Sequence, residues 1–219
     1  MNLASFIDHT YLKPFASTLV IENLANEAKE WNFSTICIHS SWLAYASDIL
    51  RGSNVQLCTV VGFPLGLTPT RTKVLESEIA LHAGAKEIDM VIQLDFLRNA
   101  DWNKVENDIQ QVVQVCSGAQ VKVILETCYL SDREIVEACK VCVNAGAGFV
   151  KTSTGFGSAG ALVHHVQLMR DTVGPSIGVK ASGGIRDLNT ALAMINAGAS
   201  RLGTSASVGI VQEWIKGRS

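Results

Sequence analysis

Proline is scarce, with four in 219 residues, and charged side chains make up only 17% of the chain. With a hydrophobic share of 47%, that composition excludes a disordered chain and supplies enough apolar material for a continuous core. Neither sign of charge dominates. The formal net charge of -2 gives no electrostatic reason to expect nucleic acid as a partner, although a local pocket can still be positive and hold a small anion. No apolar run approaches the roughly 20 residues that span a bilayer. The N-terminal stretch from Met1 to His9 lacks the basic segment followed by an apolar one that marks a secretory signal. A cytoplasmic protein with no membrane partner is expected.

The six cysteines, at 37, 58, 116, 128, 139 and 142, sit mostly in apolar surroundings such as Ile36-Cys37-Ile38. In a chain of this length without a secretory pattern they read as reduced, buried thiols. Cys139-x-x-Cys142 carries the spacing of a metal or redox motif, but no second Cys/His pair lies nearby. Its helical surroundings put both sulfurs on one face with Ile135, so core packing is the reading. His164-His165 is a poor chelating pair, because adjacent residues on a helix point about 100° apart. No His/carboxylate cluster with ligand spacing is found, and no metal is expected.

Short β-branched runs alternate with longer amphipathic stretches from end to end. The apolar runs are 34–38, 57–61, 87–92, 121–125, 148–151, 177–180 and 201–203, preceded by a short candidate strand at Phe6-Ile7-Asp8. Helical candidates lie between them at 20–31, 41–50, 70–83, 101–117, 131–145, 160–173 and 187–197, with a last one after Ser207. Three helix-to-strand joints repeat one pattern: Ala83-Gly84-Ala85, Ala145-Gly146-Ala147 and Ala197-Gly198-Ala199. A glycine suits the left-handed position that ends a helix, and recurrence of the joint argues for one repeating βα unit. Strands this short and apolar are expected where both faces are buried. Eight such units predict a (β/α)8 TIM barrel, an α/β fold in a single domain over 1–219. An open doubly wound sheet is the alternative, and the G-x-G-x-x-G fingerprint that would favour it is missing.

Barrel chemistry collects at the C-terminal ends of the strands. Those ends carry Asp8, Cys37, Asp89, Glu126, Lys151-Thr152, Lys180 and Gly203-Thr204-Ser205, a concentration of ionisable groups on otherwise aliphatic strands. Burying lysines and carboxylates together is costly unless they pair, so the cluster suggests a site. A lysine amine must be unprotonated to attack a carbonyl, yet a free lysine titrates near pH ~10.4. Desolvation and a neighbouring cation can lower that toward ~7. Lys151, Lys180 and Asp89 supply the nucleophile, the neighbouring cation and the proton carrier. Ser182-Gly183-Gly184 and Gly203-Thr204-Ser205 each lead into a helix, where backbone N–H groups and hydroxyls can hold a phosphate.

Several blocks occur in the order found in a known family. They include Ile7-Asp8-His9-Thr10-Tyr11-Leu12-Lys13-Pro14, Val61-Gly62-Phe63-Pro64-Leu65-Gly66, Glu87-Ile88-Asp89-Met90-Val91-Ile92 and Lys122-Val123-Ile124-Leu125-Glu126-Thr127. They continue with Phe149-Val150-Lys151-Thr152-Ser153-Thr154-Gly155-Phe156, Val179-Lys180-Ala181-Ser182-Gly183-Gly184-Ile185 and Arg201-Leu202-Gly203-Thr204-Ser205. Over essentially its full length the chain resembles the deoxyribose-phosphate aldolases, the metal-independent class I type. The resemblance implies reversible cleavage of 2-deoxy-D-ribose 5-phosphate to glyceraldehyde 3-phosphate and acetaldehyde, with no metal or organic cofactor. It implies Lys151 as the Schiff-base lysine, Lys180 as the second lysine and Asp89 as proton donor and acceptor. Asp8, Thr152, Gly183, Gly184, Gly203, Thr204 and Ser205 are the implied substrate- and phosphate-binding residues.

The chain departs from the family pattern in three places. His39-Ser40 replaces Asn or Tyr followed by Pro, and Ser207 stands where many relatives carry glycine. The chain ends Trp214-Ile215-Lys216-Gly217-Arg218-Ser219, without the terminal tyrosine that many members use in proton transfer. The rival readings are a phosphate-binding barrel isomerase with a carboxylate base, which would form no covalent adduct, and a non-catalytic sugar-phosphate binder. Oligomeric state, a homo-oligomer included, is left open.

Overall fold

The computed structural model describes residues 2–217; Met1 and the last two residues of the tail read above lie outside them. Eight strands, β1 (Ile7–Tyr11), β2 (Thr35–Ile38), β3 (Gln56–Val61), β4 (Glu87–Val91), β5 (Gln120–Ile124), β6 (Phe149–Lys151), β7 (Gly178–Ser182) and β8 (Arg201–Thr204), pair in parallel in chain order, and β8 returns to β1 to close a barrel. Around it lie α1 (Thr18–Trp31), α2 (Leu43–Leu50), α3 (Thr70–His82), α4 (Leu94–Arg98), α5 (Trp102–Val115), α6 (Asp132–Asn144), α7 (Val163–Val173), α8 (Leu188–Asn196) and α9 (Ser207–Lys216). The architecture is the TIM barrel expected, and the open sheet is excluded.

The repeated joints do what their sequence suggests. Gly84, Gly146 and Gly198 follow α3, α6 and α8 with φ of 100°, 84° and 105°. In each case the next alanine amide bonds back five residues, Ala85 to Ala80, Ala147 to Cys142 and Ala199 to Met194, all at 3.0 Å. These are Schellman closures, which satisfy the last helical carbonyls and turn the chain into the following strand. After α1 the same turn is made by Asn32 (φ 52°), with Phe33 bonding back to Ala28 at 3.0 Å. At the other end of α6, Ser131 and Glu134 form a reciprocal capping box.

The main apolar core lies between the barrel and its helices, and includes Cys139 and Cys142 on the inner face of α6. Burial pushes the Cys139 thiol up to about 12, so this pair is part of the packing. A second small apolar cluster, Leu12, Cys37, Cys58 and Val60, lies on the β2–β3 side.

The structure differs from the sequence expectations at element edges. Phe6 closes a short 3-10 turn instead of opening β1. Residues 160–162 are not helical because the Ala161 amide is committed to the carbonyls of Ser182 and Gly183, at 3.1 and 3.0 Å. A Cβ on Gly160 would sit 2.2 Å from the Gly183 oxygen, so only glycine allows that approach. The short helix α4 was not anticipated. Asp8, Asp89 and Lys180 were read as strand ends, but their strands run on through Tyr11, Val91 and Ser182, which places them inside the barrel.

An ion pair unseen in the sequence ties two helices to β4. The Lys73 ammonium donates to Asp108 Oδ2 at 2.7 Å and to the Val91 carbonyl at 3.0 Å, and Thr70 donates to Asp108 Oδ1 at 2.7 Å. Both charged side chains are wholly buried. Burial lowers the Lys73 pKa while Asp108 opposes that shift. Breaking such a pair leaves an uncompensated buried charge. Lys73→Met is therefore expected to cost about 3–5 kcal/mol in urea unfolding, whereas Lys73→Met with Asp108→Leu should recover most of the loss.

Candidate active site

The inner face of the barrel from β4 round to β1 carries seven ionisable groups. Asp89, at the middle of β4, is at the centre. Its Oδ2 accepts from Lys151 Nζ and Lys180 Nζ, each at 2.7 Å, and its Oδ1 from Lys122 Nζ at 2.8 Å. Lys151 and Lys180 are register partners on β6 and β7, as are Asp89 and Lys122 on β4 and β5. Parallel register aims partner side chains at the same face, so barrel closure brings these amines to one carboxylate.

A second layer completes the pairing. Lys180 also donates to Asp8, Lys122 pairs with Glu87 at 2.5 Å, and Arg201 bonds Asp8 at 2.5 Å and Glu87 at 3.2 Å. Asp8, Asp89, Lys122 and Lys180 are fully buried, and Lys151 is 3% exposed. Gly203 makes room for this cluster: a Cβ there would lie 3.1 Å from Lys180 Cε. Gly178 does the same for Phe149, whose ring would otherwise be 2.1 Å from the added carbon.

Burial by itself would raise the two aspartic acids. The surrounding cations outweigh it and hold both below the usual carboxylate range, Lys180, Lys122 and Arg201 around Asp8 and Lys122, Lys151 and Lys180 around Asp89. Burial would likewise lower Lys180, but Asp8 and Asp89 raise it above the ordinary lysine value. Lys122 is raised in the same way, chiefly by Asp89 against its own desolvation. Lys180 and Lys122 are thus fixed cations beside Asp89.

A pocket of about 290 Å³ opens above the cluster. Lys151 is at its floor, and its wall includes Gly183, Gly184, Gly203, Thr204 and Ser205. Gly183 and Gly184 both have positive φ, 84° and 79°. Six of the residues singled out in the sequence, Lys151 among them, therefore meet at one cavity, and Asp89, Lys180 and Asp8 lie beneath it. Thr152 is placed elsewhere. It does not line the pocket; its buried hydroxyl donates to the Ser182 carbonyl at 3.2 Å and accepts from the Ser182 amide at 3.1 Å, stapling β6 to β7. Glu126 is also spent on structure, accepting the Thr154 amide and hydroxyl to fix the loop after β6.

The departures have local accounts. His39 Nε2 lies 3.1 Å from the Leu12 carbonyl and links the loops after β1 and β2. Ser207 is buried and turned away from the pocket, bonded to His9 Nδ1 at 2.8 Å and the Thr204 carbonyl at 3.1 Å.

Sequence reasoning assigned no role to Lys122, Glu87, Arg201 or Cys58, although all four belong to the charged network. Cys58 Sγ lies 3.3 Å from Asp89 Oδ1 and 3.4 Å from Lys122 Nζ. One signal was present: Glu87 and Asp89 are two apart on a strand and must share a face.

A closed parallel barrel with its ionisable groups gathered under the open end is the architecture of an enzyme whose site lies at the barrel mouth. Comparison with known sequences gives the family. Residues 3–212 match the DeoC/LacD family aldolase profile, and the chain belongs to that family. It is 50% identical over 212 residues to a deoxyribose-phosphate aldolase of Streptococcus equi subsp. zooepidemicus, covering 97% of this chain and 96% of that one. It is 51% identical over 218 residues to the deoxyribose-phosphate aldolase of Bacillus cytotoxicus, covering 99% and 98%. Among solved structures, the tetrameric deoxyribose phosphate aldolase from Aeropyrum pernix superimposes with a TM-score of 0.91 at 35% identity, over 97% of this chain and 90% of that one. Among the described residues no helix is long and apolar enough to cross a membrane.

The ion cluster sets an acid limit. Asp8 and Asp89 ionise more readily folded than unfolded, so their contribution is complete above the unfolded value near pH ~4. It drains away as pH falls from there toward the depressed folded values. Unfolding free energies measured between pH 6 and 3 are expected to fall with pH. Asp89→Asn should be less stable at pH 6 and show a shallower slope; an equal slope would contradict the assignment.

Proposed function

We propose that the protein cleaves 2-deoxy-D-ribose 5-phosphate reversibly to D-glyceraldehyde 3-phosphate and acetaldehyde, through a Schiff base on Lys151. The observation that carries this reading is the position of one buried amine at the pocket floor, sharing a carboxylate oxygen with a second, fixed ammonium. Charge counting supports it. Three carboxylates face four cationic groups, so full ionisation leaves one surplus positive charge. Lys151 has a single carboxylate partner, fewer than any other cation of the cluster, and is the amine of the cluster that lines the pocket.

Lys151 Nζ attacks C1 of the open-chain sugar, and loss of water leaves a protonated imine. Removal of the 3-hydroxyl proton lets the C2–C3 bond break, C3 becoming the aldehyde of glyceraldehyde 3-phosphate and the bonding pair passing to the imine nitrogen. Protonation of the resulting enamine at C2 and hydrolysis release acetaldehyde. Asp89, held by Lys122 and Lys180, is the proposed proton carrier. The imine is the electron sink, so this chemistry calls for no metal or organic cofactor. Gly183, Gly184, Gly203, Thr204 and Ser205, across the pocket, are proposed to hold the phosphate with backbone N–H groups and hydroxyls. Asp8 acts as a supporting residue through Lys180. A cytoplasmic setting agrees with six free cysteines.

Borohydride reduction in the presence of acetaldehyde, followed by peptide mass spectrometry, tests the covalent step. A reduced two-carbon adduct on the peptide holding Lys151 is expected; its absence at Lys151 would reject the mechanism. Lys151→Ala should fold normally and lose turnover. Lys180→Leu should lower kcat by about 10²–10⁴-fold, the scale of lost acid–base assistance, while still binding inorganic phosphate.

A further inference from the structure

Cys37 on β2 and Cys58 on β3 are direct register partners, and both side chains are fully buried. Their sulfurs and a carboxylate oxygen of Asp89 all lie within 4.8 Å of one another. The catalytic reading uses neither thiol. We propose that Cys37, Cys58 and Asp89 form a binding site for one thiophilic divalent cation, of the Zn²⁺ or Cd²⁺ type, and that filling it inhibits the enzyme.

The geometry suits a metal bridge. Zinc takes thiolate at about 2.3 Å and carboxylate oxygen at about 2.0–2.2 Å, so ligand atoms around a tetrahedral ion stand roughly 3.5 Å apart. Cys58 Sγ and Asp89 Oδ1 are already separated by 3.3 Å.

The charge balance is also favourable despite three nearby lysines. Two thiol protons leave as the dication enters, so the net charge of the cluster is unchanged. Two sulfur donors select soft or borderline cations over Mg²⁺ and Ca²⁺. The neighbouring group Asp8, Cys58 and Glu87 offers one sulfur and lacks that selectivity. Inhibition follows because the ion takes Asp89, the carboxylate that Lys122, Lys151 and Lys180 share. The binding claim stands on geometry alone; the inhibition claim rests on the aldolase reading above.

Cd²⁺ added to the full-length protein is the probe. One equivalent should bind with an ultraviolet thiolate-to-cadmium charge-transfer band, and X-ray absorption should report two sulfur neighbours on the wild-type protein. Cys37→Ala and Cys58→Ala should each lose the band and weaken Cd²⁺ binding by more than about 100-fold, beyond the cost of a lost outer-shell partner. Cys139→Ala should retain both. A first shell without sulfur, or unweakened binding by Cys37→Ala, overturns the site. Turnover should vanish on loading and return with a chelator; full turnover with one Cd²⁺ bound overturns the inhibition. A protein without any aldolase turnover would sink the functional reading and leave the binding measurements to decide the site.

Discussion

Three ammonium groups converging on one carboxylate is an arrangement that only a closed interior can hold. In water the pairs around Asp89 would contribute little, because solvent competes for each charge. Inside the barrel the desolvation cost is large, and it is offset only because every amine finds an oxygen and every carboxylate finds more than one cation. The rest of the barrel lining is arranged around that requirement. Gly203 leaves space for Lys180, Gly178 leaves space for Phe149, and Arg201 reaches up from β8 to close Asp8 against Glu87.

The same constraint separates the roles of the lysines. Lys122 and Lys180, each bonded to two carboxylates, are held as permanent cations. Lys151, the last residue of β6, has one carboxylate and faces the cavity. A difference of one carboxylate partner, together with access to the cavity, thus distinguishes an electrostatic support from a candidate nucleophile. The β2–β3 side of the interior is lined by Cys37, Cys58 and Val60, and it meets the charged half of the barrel through the Cys58 thiol.

Much of this was readable beforehand, for identifiable reasons. The Ala-Gly-Ala joints encode a backbone conformation that few other residues adopt, so their repetition revealed the βα unit and its count. Lys151 and Lys180 stood out because each ends an apolar run. Lys122 and Arg201 escaped because their significance lies in cross-strand register, which appears only when β8 meets β1 and the inner face exists. Strand ends were a misleading guide for Asp8 and Lys180, whose strands pair further than their apolar residues suggest, and for Asp89, which lies at the middle of its strand. The family resemblance implies Thr152 as a substrate-binding residue, yet alternation along the chain turns it away from the cavity and onto Ser182. The buried Lys73–Asp108 pair could not be read at all, since it joins two helices far apart in sequence.

The central claim is that Asp89 holds Lys180 as a fixed cation at the barrel mouth. A pH titration of the lysine side-chain ammonium signals by nitrogen NMR, with Lys180 assigned by substitution, tests it most directly. The Lys180 ammonium should persist above the ordinary lysine value of ~10.4 in the wild-type protein and titrate lower in Asp89→Asn. A wild-type Lys180 that loses its proton below that value, or one unmoved by Asp89→Asn, would contradict the account.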